Sequence, residues 1–105
     1  RAGREALAPG RACKDVDAAA RTVIADAGYA NNFGHGLGHG VGLQIHEAPG
    51  ISAASTATLQ VGSTVTVEPG VYLPDRGGVR IEDTLIVGET HPELLTRFSK
   101  ELAII

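Results

Sequence analysis

Between Asp15 and Ala27 the apolar residues Val16, Ala20, Val23, Ile24 and Ala27 recur at helical spacing, which predicts an amphipathic helix burying one stripe. Asp15 is placed to cap its first free amides, and Gly28 to end it just past the last turn. Residues 1 to 8 read as the tail of another helix, closed by Pro9-Gly10, because proline disfavours helical geometry in its predecessor and glycine permits a turn. After Tyr29 the period changes to two. From Phe33 to His46 an extended segment is predicted, with His35, Leu37, His39, Val41 and Leu43 on one face and only glycine on the other, where a neighbouring backbone can approach closely.

A loop is expected through Pro49 and Gly50, and Ser52 to Gln60 reads as loop or weak helix. In Thr64 to Glu68 the valines 65 and 67 point one way and Thr64, Thr66 and Glu68 the other; Pro69-Gly70 then interrupts the ladder before Val71-Tyr72-Leu73. Val79 to Val87 alternates again and reads as one strand, in which Asp83 breaks the apolar set. Asp75 to Gly78 carries the turn residues of a hairpin. On this reading Glu68, Arg80 and Glu82 share one face of a single antiparallel sheet.

Composition bounds the function classes. The 105 residues are 43% hydrophobic, enough for one modest core. A net charge of −3, with 9 basic against 12 acidic residues, argues against a nucleic-acid footprint, which needs clustered cations. No apolar stretch approaches the roughly 20 residues of a membrane span. The single cysteine, Cys13, cannot form an internal disulfide, so a reducing, cytoplasmic setting is the expectation. The chain opens on Arg-Ala-Gly-Arg and holds no methionine, which reads as part of a longer protein.

Five of the 14 glycines fall between Gly34 and Gly42, all at even positions, so a G-x-G-x-x-G dinucleotide loop cannot be made there. His46-Glu47 would need a histidine at position 50 to form the helical zinc motif H-E-x-x-H, and that residue is Gly50. What remains is a set of imidazoles and carboxylates on extended segments: His35, His39, His46, Glu68 and Glu82. One imidazole with two carboxylates is a borderline-to-hard donor set suited to divalent Mn, Co, Fe or Zn. Glutamates in strands otherwise rich in valine and isoleucine add weight, since an unpaired carboxylate facing a core is costly and ligation would offset the cost. His91, beside Pro92, belongs to no such motif and is expected to be exposed.

Three ordered blocks match a known family: Phe33-Gly-His-Gly-Leu-Gly-His-Gly-Val-Gly-Leu with His46-Glu47-Ala48-Pro49, then Val67-Glu68-Pro69-Gly70-Val71-Tyr72, then Gly78-Val79-Arg80-Ile81-Glu82-Asp83. Together they resemble the metal-dependent Xaa-Pro peptidases: prolidase, Xaa-Pro dipeptidase and aminopeptidase P. The resemblance implies an α+β fold, the C-terminal half of a creatinase-like pita-bread domain, with an antiparallel sheet and helices packed on one face. Residues 1 to 105 would then be the C-terminal part of the catalytic domain, without the N-terminal domain or the first half of the catalytic domain.

The same resemblance implies roles. His39, Glu68 and Glu82 match the ligands of two divalent metal ions, manganese first, with cobalt, zinc or iron as alternatives. His35 and His46 match histidines that hold the substrate and stabilise the tetrahedral intermediate, and Arg80 a substrate contact. A hydroxide activated by the metals attacks the carbonyl before proline, with the glutamate at position 68 taking the proton. The substrate would be a proline-containing dipeptide or peptide and the whole protein a homodimer, with neither nucleic acid nor membrane as a partner. Two aspartate ligands are also required. No segment here matches them, so the 105 residues alone are expected to be inactive, with exposed sheet edges. A non-catalytic peptide-binding relative and a metal-free creatinase-like amidinohydrolase are the competing readings.

Overall fold

The computed structural model describes residues 1–105. Two helices, α1 (Ala2–Glu5) and α2 (Cys13–Ile24), precede seven strands: β1 (Gly38–Gly40), β2 (Glu47–Ile51), β3 (Thr64–Val67), β4 (Gly70–Leu73), β5 (Gly77–Arg80), β6 (Asp83–Ile86) and β7 (Glu93–Leu94). Five of them form one antiparallel sheet in the order β2-β1-β3-β6-β7, and β4 and β5 form a separate two-stranded ribbon. Helix α2 packs on the sheet through Cys13, Val16 and Ala20, which join Leu37, Ile51, Leu59, Val65, Val67, Leu85 and Val87 in the core. The fold is therefore the expected α+β arrangement. No helix is long and apolar enough to cross a membrane.

The helix begins earlier and ends differently than its periodicity predicts. Ala12 occupies the N-cap with no side-chain hydrogen bond, so Asp15 lies in the first turn and is not the cap. After Ile24 the chain widens into a π-helical turn, Ala25–Tyr29, in which Gly28 takes φ +90°, the left-handed conformation glycine adopts at low cost. Val23, expected on the buried stripe, is 58% exposed beside Val79 and Ile81 along an apolar groove.

The glycine-rich stretch is extended over a shorter span than its alternation suggests. Only Gly38–Gly40 pairs in the sheet. The chain then bends, leaving Leu43 and Ile45 exposed while Leu37 is fully buried, so the predicted common face stops at residue 40. The bend allows Glu47–Ile51, expected as loop, to double back as strand β2 against β1. Pro49 is compatible with this because β2 is an edge strand, where a missing N–H costs no ladder bond. The predicted close approach of backbone to the glycine face is present. A Cβ at Gly38 would collide with the Thr66 carbonyl, and one at Gly40 with the Ala48 carbonyl.

Val79 to Val87 is two strands, not one. Thr64 to Ile86 forms a long hairpin whose arms are β3–β4 and β5–β6, and its ladder breaks at the same level on both arms. Glu68-Pro69 interrupts one arm and Ile81-Glu82 the other, bridged by Ile81 N–H donating to the Pro69 carbonyl at 3.3 Å. Asp83 turns inward immediately after the break and is 4% exposed. The expectation of a single sheet carrying Glu68, Arg80 and Glu82 is thus corrected: Arg80 ends β5 in the small ribbon, while Glu68 and Glu82 lie in the break between the two sheets. The hairpin turn at residues 75 to 78 is as predicted, with Asp75 at φ 58° and Gly77 at φ 124°.

Candidate metal centre

The register fixes how the acidic residues meet. Val67 pairs with Asp83 and Gly70 with Arg80, so the same register carried across the break sets Glu68 opposite Glu82. Like charges directly opposite on neighbouring strands are destabilising unless something positive lies near them. Arg80 supplies part of this, its Nε 3.5 Å from Glu68 Oε2. The Tyr72 hydroxyl first, then the carboxylates of Glu68 and Glu82, raise the Arg80 pKa above its already high ordinary value.

His39 approaches Glu68 from the neighbouring strand. Its Nδ1–H donates to the Gly40 carbonyl at 2.9 Å, which leaves Nε2 facing Glu68 Oε1 at 3.1 Å. Two electron-rich atoms at this distance need a cation or a proton between them. Thr66 sits beneath the pair: its hydroxyl donates to Glu68 Oε1 at 3.0 Å and its oxygen accepts the His39 backbone N–H at 3.0 Å. Such outer hydrogen bonds orient metal ligands in general. An imidazole with a free Nε2 and a held carboxylate therefore fit a divalent cation by donor type and orientation. They do not complete a site. No three His, Cys, Asp or Glu side chains of this chain converge at metal-binding distance, and Glu82 is exposed with no hydrogen bond or ion pair.

The other predicted residues cluster unevenly. His35, His39, Glu68 and Arg80 line one polar cleft of about 280 Å³. His46, on the bend after β1, is exposed but lays its ring edge-on to His39, centroids 4.4 Å apart. His35 donates Nδ1–H to the Gly36 carbonyl at 2.7 Å and accepts the Tyr72 hydroxyl at Nε2, also at 2.7 Å. His91 is exposed, as expected, and bonds only the neighbouring Thr90. Sequence reasoning missed Thr66 and Tyr72 as site residues. Thr66 was findable, since it shares a strand face with Glu68; Tyr72 lies 37 positions from His35 and gives no local signal.

An antiparallel sheet, a helix across its inner face and a cleft of imidazoles and carboxylates define a domain of the metallohydrolase type. Residues 1–89 match the metallopeptidase family M24, and the chain belongs to that family. It is 48% identical over 98 residues to the Xaa-Pro dipeptidase of Pyrococcus furiosus, covering 93% of this chain and 28% of that protein. The solved Xaa-Pro dipeptidase of Bacillus anthracis superposes with a TM-score of 0.96 at 46% identity, over 99% of this chain and 29% of that one. The X-Pro aminopeptidase of Thermotoga maritima superposes with a TM-score of 0.91 at 38% identity, over 95% of this chain and 28% of that one. The fold is accordingly part of a pita-bread domain, and the chain spans less than a third of the length of these relatives.

Proposed function

We propose that these residues are the C-terminal part of the catalytic domain of a cytoplasmic Xaa-Pro peptidase that acts as a homodimer. His39, Glu68 and Glu82 hold two divalent cations, manganese first, together with two aspartates from elsewhere in the polypeptide. The observation that carries this reading is His39 Nε2 facing Glu68 Oε1 across 3.1 Å, with Nδ1 already engaged. The names of the relatives, Xaa-Pro dipeptidase and X-Pro aminopeptidase, support the substrate class.

Cations held there, when bound, acidify a water and polarise the carbonyl before proline. Glu68, held by the Thr66 hydroxyl, would be the group to take up a proton from such a water. His35 and His46 hold the substrate, and His46, whose ring lies against that of His39, donates toward the developing oxyanion, a contribution of about 3 kcal/mol for a well-placed donor. Arg80, 51% exposed at the cleft rim, contacts the substrate.

The test is hydrolysis of Xaa-Pro dipeptides by the full-length protein with and without added manganese. Chelation should abolish turnover. Glu82→Ala should lower it by about a thousandfold, on the several kcal/mol of charge stabilisation a bound cation supplies. Turnover that survives both would overturn the proposal. Binding of Xaa-Pro peptides without turnover would favour a non-catalytic relative, and turnover of creatine without metal an amidinohydrolase.

A further inference from the structure

Asp17 and Arg21, one turn apart on α2, take no part in the site described above, yet three of their five hydrogen bonds go to the segment that carries it. Asp17 is fully buried. Arg21 closes on it as a fork, Nε to Oδ2 at 2.7 Å and Nη2 to Oδ1 at 3.1 Å. The remaining donors and acceptors reach across to the glycine-rich stretch. Arg21 Nη1 donates to the Phe33 carbonyl at 2.9 Å and Nη2 to the His35 carbonyl at 2.7 Å, while Asp17 Oδ1 accepts the Leu37 N–H at 2.9 Å. The guanidinium also stacks 4.2 Å above the Phe33 ring, whose edge meets the His35 ring at 5.0 Å.

The contact continues past Leu37. Its carbonyl accepts the Glu68 backbone N–H at 2.8 Å. One half-buried ion pair therefore fixes alternate residues 33, 35 and 37 by their backbone and, through residue 37, the start of the hairpin break at Glu68. We infer that Asp17 and Arg21 are a positioning pair that sets His35 and Glu68 against each other across the cleft. The inference rests on the proposal that these two side chains act on the substrate.

The chemistry suits placement better than stability. A buried ion pair is often no more stabilising than apolar side chains of the same volume. A planar guanidinium fork, in contrast, fixes direction as well as distance, because its donors diverge at set angles and each bond weakens steeply off axis. This stretch needs such a restraint. Glycines 34, 36 and 38 leave its backbone freer than any other sequence would.

The test compares Arg21→Lys and Asp17→Asn with Val16→Ala in the full-length protein. The first two keep charge or shape but lose the fork; the third opens a cavity in the core under the same helix and removes none of these hydrogen bonds. Three quantities are read: melting temperature, kcat and KM for an Xaa-Pro dipeptide, and the ring nitrogen resonances of His35 in protein labelled with 15N-histidine, with His91 as internal reference. Arg21→Lys and Asp17→Asn should lower kcat by about ten- to a hundredfold, the scale of a 1 Å misplacement, with KM little changed. They should also shift the His35 signals while leaving those of His91 in place. Val16→Ala should lower the melting temperature and change neither kcat nor the His35 signals.

If Arg21→Lys and Asp17→Asn behave like Val16→Ala, or Val16→Ala slows turnover as much as they do, the pair is structural only and the inference falls. If the wild-type protein hydrolyses no Xaa-Pro dipeptide, the peptidase proposal fails separately. The His35 resonances then decide alone: signals that move in both fork variants support positioning, and signals that stay refute it.

Discussion

Replacing Asp83 with asparagine tests how the hairpin break is held. Three donors from two other segments converge on this 4%-exposed carboxylate: Arg4 Nη1 at 3.0 Å on Oδ2, and the Thr96 hydroxyl at 2.6 Å and Lys100 Nζ at 3.0 Å on Oδ1. Asparagine keeps the volume and can still accept from Thr96, so the variant isolates the charge. A hydrogen bond from a charged donor is worth about 1.5–3 kcal/mol when buried. Arg4 and Lys100 are each about a third exposed and recover part of their hydration, so together they contribute about 2–3 kcal/mol at neutral pH. For a domain of this size that corresponds to a fall of about 10–20 °C in melting temperature.

The pH dependence follows from the same contacts. Burial works against ionisation of Asp83, but the hydrogen bonds from Thr96 and Lys100 and the charges of Lys100 and Arg4 outweigh it and hold the pKa below the ordinary aspartate range. A depressed folded-state pKa means that the stabilisation is fully present above the unfolded value, about 3.9, and disappears as pH falls through the folded value. The gap between wild type and Asp83→Asn in thermal unfolding, followed by circular dichroism, should be constant from about pH 7 to 5 and close below about pH 4. A gap of under about 2 °C at pH 7, equivalent to half a kcal/mol or less, would refute the clamp. So would a gap that survives undiminished at pH 2.

Gly38→Ala should push β1 from β3, because the new methyl meets the Thr66 backbone carbonyl, and lower stability in urea by about 1–3 kcal/mol or more. Gly50→Ala, with open space around it, is the control and should be close to neutral. Cys13 is fully buried, and that burial raises its thiol pKa against a weaker opposing bond to Ser55. It should therefore resist a disulfide reagent in native buffer and react once in denaturant; prompt native labelling would contradict the packing of α2.

What the sequence made legible follows from how local each signal is. Thr64 to Val67 reads correctly as a strand because its residues are all β-branched, although Thr66 is buried along with Val65 and Val67. The left-handed turn at Gly28 is legible because that conformation is a property of glycine itself, although α2 proper ends earlier, at Ile24. The errors lie where tertiary partners override local pattern. Val79 to Val87 alternates except at Asp83, and that carboxylate is held inward by Arg4, Thr96 and Lys100, none of which its neighbours announce. Pro49 reads as a loop breaker until β2 is known to be an edge. At the site, residue types and order were visible, whereas the Tyr72 bond to His35 and the Asp17–Arg21 fork required the fold.

The break in the hairpin links fold to chemistry most directly. Had the ladder run unbroken from Thr64 to Leu73, Glu68 and Glu82 would face each other as an ordinary cross-strand pair, which like charges disfavour. Pro69 removes one donor at that level, and a single bond from Ile81 N–H to its carbonyl replaces the regular rungs. The chain thus gives up regular pairing at the one level where two carboxylates oppose each other. It then surrounds that level with anchors: Thr66 under Glu68, Leu37 on its backbone, and the Asp83 clamp one residue beyond Glu82. A surface charge pair needs no such support. Two acidic side chains kept at one level at the cost of sheet regularity, with His39 Nε2 3.1 Å from one of them, are what the proposed cation site would require of this chain.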